Sequence, residues 1–316
     1  MRSVSNTECH RPTASTVQRR SRLRRTPHGK RLLLTPRDLA IFKALAQYRY
    51  LRSTYLHAFV GGQSTKRFTE RLGDLFHEGY VDRPDAQWRL ADCLHQPVLY
   101  ELGRKAANIL EDHIDIREQR RILLGPASHR QFEHSVMLCD IVASIELAAR
   151  ASSMLRFIPM TEIVAKAPDK ASVARLRLPI RKGEHECLVP DALFGLVYIS
   201  DGRPSYRFFA LEADRGSMPI RRAAPRGTSL AGKFIAYQKF LAEENHKRLI
   251  GVPNLLVLLV TTNVTRVESL MKMSPSETRF LYKAIEPKAL FVPAAQLLLD
   301  PWDRVGSPSF RINLPG

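Results

Sequence analysis

Between Cys187 and Tyr237 the chain sets two short apolar runs against carboxylates at their ends, and this stretch restricts the fold most. Leu188-Val189 leads into Pro190-Asp191, and Phe194 to Ile199 continues apolar. The second run, Tyr206 to Leu211, ends in Glu212-Ala213-Asp214-Arg215-Gly216. Short runs rich in Val, Phe, Tyr and Leu, separated by Ser200-Asp201-Gly202, predict a β-hairpin. Residues two apart in a strand share a face, so Glu212 and Asp214 are expected to project together, with Asp191 brought beside them. Three carboxylates converging at one sheet edge suit Mg²⁺. Burying unpaired carboxylates together is costly, so their recurrence at strand ends points to a site or to a shallow acidic surface. A solvated strand end is the bland alternative at each position.

The other informative stretch lies upstream. Thr35-Pro36-Arg37-Asp38 is a helix start, with an N-capping Thr and Pro at the first helical position. The helix it opens, Arg37 to Tyr48, spaces Leu39, Ile41, Phe42, Leu45 and Ala46 helically. Ser53 caps a second helix through Phe59, and Gly61-Gly62 makes a turn. A third helix, Ser64 to Glu78, buries Phe68, Leu72, Leu75 and Phe76 and turns Lys66, Arg67, Glu70 and Arg71 outward. Tyr80 to Arg83 and Pro97 to Glu101 then read as two strands around a polar loop. This order predicts a winged helix-turn-helix over residues 32–111, whose third helix enters the major groove of double-stranded DNA through Lys66, Arg67 and Arg71. A winged helix used for protein contact is the alternative, and the positive face argues against it.

Charge supports the same partner. The net charge is +18, which suggests a polyanion. Residues 1–31 hold nine Lys or Arg and one Glu, including Arg19, Arg20, Arg24 and Arg25. They read as a disordered basic arm for the phosphate backbone. A merely solubilising tail is the alternative, but more than half of the +18 belongs to the body. No uninterrupted run of 18 apolar residues is present, so no membrane span is expected. Residues 1–31 also lack the apolar core of a secretory signal. Four widely spaced cysteines form no CxxC pair, which suits a reducing cytoplasm.

Downstream, residues 112–128 read as a charged linker, with a break at Gly125-Pro126. A helix from His129 to Arg150 carries His134, a further candidate for the site, although a lone His on an amphipathic helix is more often structural. Phe157 to Ala165 is expected as a strand, followed by a basic excursion over 166–185. After the hairpin come a helix, Ser229 to His246, carrying Lys233, and a strand, Asn254 to Thr262. Residues 264–285 are expected to be helical, 289–292 an edge strand and 301–316 a loose tail. The order αβββαβ over residues 129–300 fits an α/β (α+β) sandwich. There is no P-loop, dinucleotide glycine fingerprint, HExxH or GxSxG, so nucleotide hydrolysis, zinc proteolysis and acyl transfer lack their motifs.

Pro190-Asp191, Glu212-x-Asp214 and a helix with Lys233 and Tyr237 resemble the second half of the plasmid replication-relaxation family. The phrase LTPRDLAIFKALAQYRYLRSTYL resembles the start of the same proteins, so the likeness covers roughly residues 32–260. It implies an N-terminal winged helix followed by a restriction-endonuclease-like domain related to the PD-(D/E)xK nucleases. That pattern places Lys where this chain has Asp214, and Lys233 on the next helix is the substitute. The implied function is DNA binding in plasmid or mobile-element replication or DNA relaxation, with replication or relaxation proteins as partners and a homodimer as one assembly. One alternative is a Mg²⁺-dependent DNA endonuclease in which Asp191, Glu212 and Asp214 hold metal and Lys233 assists. The other is a non-enzymatic transcription regulator.

Overall fold

The structure, a computed structural model, describes residues 21–27, 29, 31–62, 64–90, 92–111, 132–181, 186–200, 203–216, 229–273 and 279–315. In the N-terminal half, helix α1 (Pro36–Gln47) starts in a capping box: Thr35 Oγ1 accepts the Asp38 N–H at 3.3 Å, and Asp38 Oδ2 accepts the Thr35 N–H at 2.7 Å. A two-residue strand β1 (Leu51–Arg52) runs into α2 (Ser53–Val60). Gly61 and Gly62, at φ +68° and +125°, make the turn that only glycine adopts without strain. Ser64 then caps α3 (Thr65–His77). Strands β2 (Val81–Asp82) and β3 (Leu99–Leu102) complete an antiparallel sheet in the order β1-β3-β2, and α4 (Arg104–Glu111) follows. The strand β1 between the first two helices is an addition to the predicted order.

The second half begins with the long helix α5 (Phe132–Arg150) and strand β4 (Leu155–Ile158). Short helices α6 (Met160–Lys166) and α7 (Lys170–Ala174) and a small hairpin, β5 (Leu178–Pro179) with β6 (Cys187–Leu188), lead to the expected hairpin. That hairpin is β7 (Ala192–Ser200) and β8 (Arg203–Asp214). Helix α8 (Leu230–Ala242), a π-helical turn at His246–Ile250 and strand β9 (Leu256–Thr261) come next. Helix α9 (Val264–Met273), strand β10 (Phe280–Ala284), a 3₁₀ turn at Pro287–Phe291 and α10 (Gln296–Leu299) end the series. The large sheet has the order β10-β9-β8-β7-β4, antiparallel through β4, β7 and β8 and parallel through β8, β9 and β10. Helices and sheets are mixed throughout, as an α/β chain requires.

Four local expectations are corrected. The strand expected over 157–165 stops at Ile158, because Pro159 precedes a helix that buries Met160 and Ile163. The helix expected over 264–285 ends at Met273, and Phe280–Ala284 adds a fully covered strand to β9. The edge strand expected at 289–292 is a 3₁₀ turn opened by Pro287. The tail is packed: Trp302 and Ile312 are wholly buried, and Trp302 Nε1 donates to the Leu297 carbonyl at 3.0 Å. A buried indole with its N–H satisfied holds a chain end that composition alone reads as loose.

Strand β8 divides its residues between the two faces of the sheet. Phe209, Leu211 and Ala213 join a core that continues through α5 into α1, α2 and α3. Ala210 faces the second core, beneath α8, with Phe234, Tyr237 and Phe240. The α5 seam also carries buried polar contacts to the N-terminal half. Arg52 Nε donates to Asp140 at 2.9 Å, Gln47 Nε2 to Glu146 at 2.6 Å, and the Tyr48 hydroxyl also bonds Glu146. The Tyr55 hydroxyl lies 2.9 Å from Ser144 Oγ.

Candidate functional site

Register explains why two of the predicted carboxylates meet. Ala192 pairs with Leu211, so the next pair outward sets Asp191 across from Glu212 at one end of the sheet. The turn is pinned on both sides of that step: the Asp191 N–H donates to the Leu211 carbonyl at 3.1 Å, and Asp191 Oδ2 accepts the Ala213 N–H at 2.9 Å. Helix α8 supplies the cation. Ser229 Oγ caps it by accepting the Gly232 N–H at 3.2 Å, which places Lys233 in the first turn and Tyr237 one turn later on the same face. The Lys233 ammonium bonds Glu212 Oε2 and lies 3.4 Å from Asp191 Oδ1. The Tyr237 hydroxyl donates to the other Glu212 oxygen at 2.6 Å. From the opposite face of the sheet, His134 Nε2 on α5 comes within 3.4 Å of Asp191 Oδ2.

The cluster is sheltered, and its electrostatics follow from that. Side-chain exposure is 3% for Glu212, 17% for Asp191 and 19% for Lys233. Burial pushes the Glu212 carboxyl up to about 7, with Lys233 pulling against it and the Asp191 charge adding to it. Burial acts on Asp191 as well, but Lys233, His134 and the Ala213 N–H outweigh it and draw that carboxyl down to about 2. Burial works against the Lys233 ammonium, yet the two carboxylates beside it hold its pKa above the usual lysine value. His134 is raised by its bond to Asp191, against burial. Two acids are thus compensated by one fixed cation and by a histidine inclined to carry a second.

Asp214 stands apart. It shares the strand face of Glu212, as alternation predicts, but one turn of pleat further on it meets α9 instead of α8. Its Oδ2 accepts from Arg266 Nε at 2.6 Å, and its Oδ1 accepts the Gly216 N–H at 3.0 Å. The trio Asp191, Glu212 and Asp214 therefore does not face one cation. Among the described residues no group of three or more His, Cys, Asp and Glu is disposed to hold a metal. Lys233 fills the space between the two carboxylates that do converge. Arg266 was not anticipated, because its link to Asp214 spans 52 residues and has no local spacing signal.

The predicted DNA-contact residues separate in the same way. Lys66 and Arg67 are exposed on the first turn of α3. Arg71 is turned inward: it donates to both oxygens of the buried Asp38, at 3.0 and 2.7 Å, and to the Leu33 carbonyl at 2.8 Å. Arg24 is exposed. Arg25 docks on the body through the carbonyls of Phe76 and Val81 and through Asp82. Arg22 likewise donates to the carbonyls of Leu94 and Gln96, so packed chain begins at residue 21, ahead of the boundary read at 31. Arg19, Arg20 and the linker 112–128 lie outside the described residues. The N-terminal ends of α1 and α3 border a groove of about 760 Å³, lined by Arg37, Arg67 and Arg71 with Thr35, Ser64 and the compensated Asp38.

No helix among the described residues is long and apolar enough to cross a membrane. No curated protein and no solved structure matches the chain. A family model described as replication-relaxation matches residues 42–255, more than half of the chain.

Proposed function

The chain belongs to the replication-relaxation family, and from that premise we propose that it is a double-stranded DNA-binding protein of plasmid or mobile-element replication or DNA relaxation. The observation that carries the reading is the groove between α1 and α3. Two helix N-termini point their free N–H groups and positive dipole ends toward it, and Arg37 and Arg67 border it. A DNA phosphate is the anion such a groove accommodates. Lys66 and Arg67 then sit where a winged helix presents its third helix to the major groove, and the sequence α1-β1-α2-α3-β2-β3 supports that arrangement. The basic residues 1–20 add backbone affinity.

The second half supports a nuclease-like core of doubtful cleavage activity. Its helix, three antiparallel strands, helix and parallel strand are the order expected of such a core, and Asp191, Glu212 and Lys233 converge at the strand ends. The Mg²⁺ set anticipated from sequence does not fit: Asp214 is committed to Arg266, and Lys233 already compensates the other two acids. No cleavage step is derived through a metal. A role of this half in engaging replication or relaxation proteins is the remaining reading, with the cluster serving as its rigid centre.

Gel-shift titration of the full chain against plasmid-origin fragments and random duplex tests the proposal. Preference for origin DNA that is lost in Lys66→Ala and Arg67→Ala is expected; equal affinity for both DNAs sinks the specific-binding claim, and preference for a promoter fragment favours the regulator. Incubation of supercoiled plasmid with Mg²⁺ addresses the nuclease alternative, which cleavage abolished by Asp191→Ala would reinstate.

A further inference from the structure

A second enclosed space lies where α5, the ends of β8, β9 and β10, and the N-terminal half meet. Its volume is about 220 Å³. That far exceeds the ~10–15 Å³ that one water occupies, and falls below the ~300–1,000 Å³ of sites for drug-sized ligands. It has room for a single ring system. Its charges cancel in two ion pairs, Arg52 with Asp140 and Arg215 with Glu133, so neither a cation nor an anion is favoured by net charge. Val136, Met137, Leu290 and Phe291 supply apolar wall, and the Arg52 guanidinium lies 4.6 Å over the Phe291 ring.

One atom in this neutral setting is unsatisfied. Asp140 is 1% exposed, its Oδ2 accepts from Arg52, and its Oδ1 has no hydrogen-bond partner. A buried carboxylate oxygen without a donor is unfavourable, and the ligand that best completes it brings an N–H. We propose that this cavity binds one uncharged nucleobase carrying an exocyclic amino group, whose N–H donates to Asp140 Oδ1 while the ring lies against the apolar wall. Adenine, cytosine and guanine share that chemistry and thymine lacks it. The base arrives either as a free nucleoside or as an unpaired nucleotide of DNA; only the second source rests on the DNA-binding reading.

Calorimetric titration of the full chain with adenosine, cytidine, guanosine and thymidine addresses the first source. Anisotropy with a hairpin bearing one unpaired adenosine or cytidine, against the fully paired hairpin, addresses the second. At least one amino-bearing base is expected to be preferred over thymidine, or the unpaired over the paired hairpin, by about tenfold or more. Asp140→Asn should erase that preference. Leu90→Trp narrows the half-buried wall without touching the Arg52–Asp140 pair and should also erase it, so the test survives if the first variant fails to fold. Nucleoside preference without any duplex affinity would support the cavity and sink only the DNA-binding reading. No preference in either format, or a preference that both variants retain, overturns the site and leaves the cavity to water.

Discussion

Removing the Lys233 ammonium would leave Asp191 and Glu212 sheltered side by side without their fixed counter-charge. Breaking a buried pair in this way typically costs about 3–5 kcal/mol, so Lys233→Ala should lower the urea-unfolding free energy by that order. A loss below about 1 kcal/mol, the range of an exposed ion pair, would show that the cluster is solvated. Glu212 gives a pH signature. Its carboxyl is raised from 4.5 to about 7 in the folded chain, so the folded protein keeps a proton that the unfolded chain has released. Stability contributed by this group is therefore full below 4.5 and falls as pH rises toward 7, by roughly 3 kcal/mol in all. Asp191 works in the opposite sense and lower down, its contribution being lost as pH falls from 3.8 toward 2. Denaturation of wild type and Glu212→Gln between pH 4 and 8 should show a shallower decline in the variant; parallel curves would mean that Glu212 stays ionised throughout.

At the level of elements, α3 carries two kinds of arginine that its helical spacing does not distinguish. Arg67 lies in the first turn and is exposed, whereas Arg71, one turn on, reaches back to α1 and neutralises Asp38 inside the capping box. Arg67→Ala should therefore weaken specific DNA binding by about 1–3 kcal/mol if it reads a base edge, and leave thermal stability nearly unchanged. Arg71→Ala should act mainly on folding, because it strands a buried carboxylate at a helix start; the expected loss is about 3 kcal/mol. Paired gel-shift and melting measurements on both variants separate the roles, and an unchanged melting temperature in Arg71→Ala would return that residue to the DNA face.

For the whole molecule, a continuous core and buried polar seam join the N-terminal helices to α5 and the large sheet. Such a connection predicts one cooperative unfolding transition in place of two. Circular dichroism and tryptophan fluorescence (Trp88 in the N-terminal half, Trp302 in the C-terminal half) should give coincident curves; separated midpoints would show independent units. DNA affinity should fall steeply with salt: neutralising roughly six to ten phosphates weakens binding by about 10³–10⁵ between 50 and 200 mM. Deleting residues 1–20 should make that dependence shallower and leave stability intact. Extending the deletion through residue 27 should also destabilise the fold, because Arg22 and Arg25 are then lost from its surface. A salt slope unchanged by the shorter deletion would place residues 1–20 off the DNA.

Local chemistry made some of this legible from the chain alone. The Thr35 and Ser64 caps, the apolar spacing of α1 and α3 and the alternating hairpin of β7 and β8 are short-range consequences of sequence. They sufficed to bring Asp191 opposite Glu212 and to nominate Lys233 and His134 beside them. Partner choice was a different matter, because a side chain's ion pair depends on which distant element packs against it. Glu212 and Asp214 are indistinguishable by spacing, yet α8 delivers Lys233 and Tyr237 to the first and α9 delivers Arg266 to the second. Composition likewise described residues 301–316 as tail, while the burial of Trp302 and Ile312 depends on a surface assembled from remote strands and helices. Propensity and alternation act over a few residues and fix elements and faces; packing acts across the whole chain, and it alone decided which charges were compensated and which remained exposed.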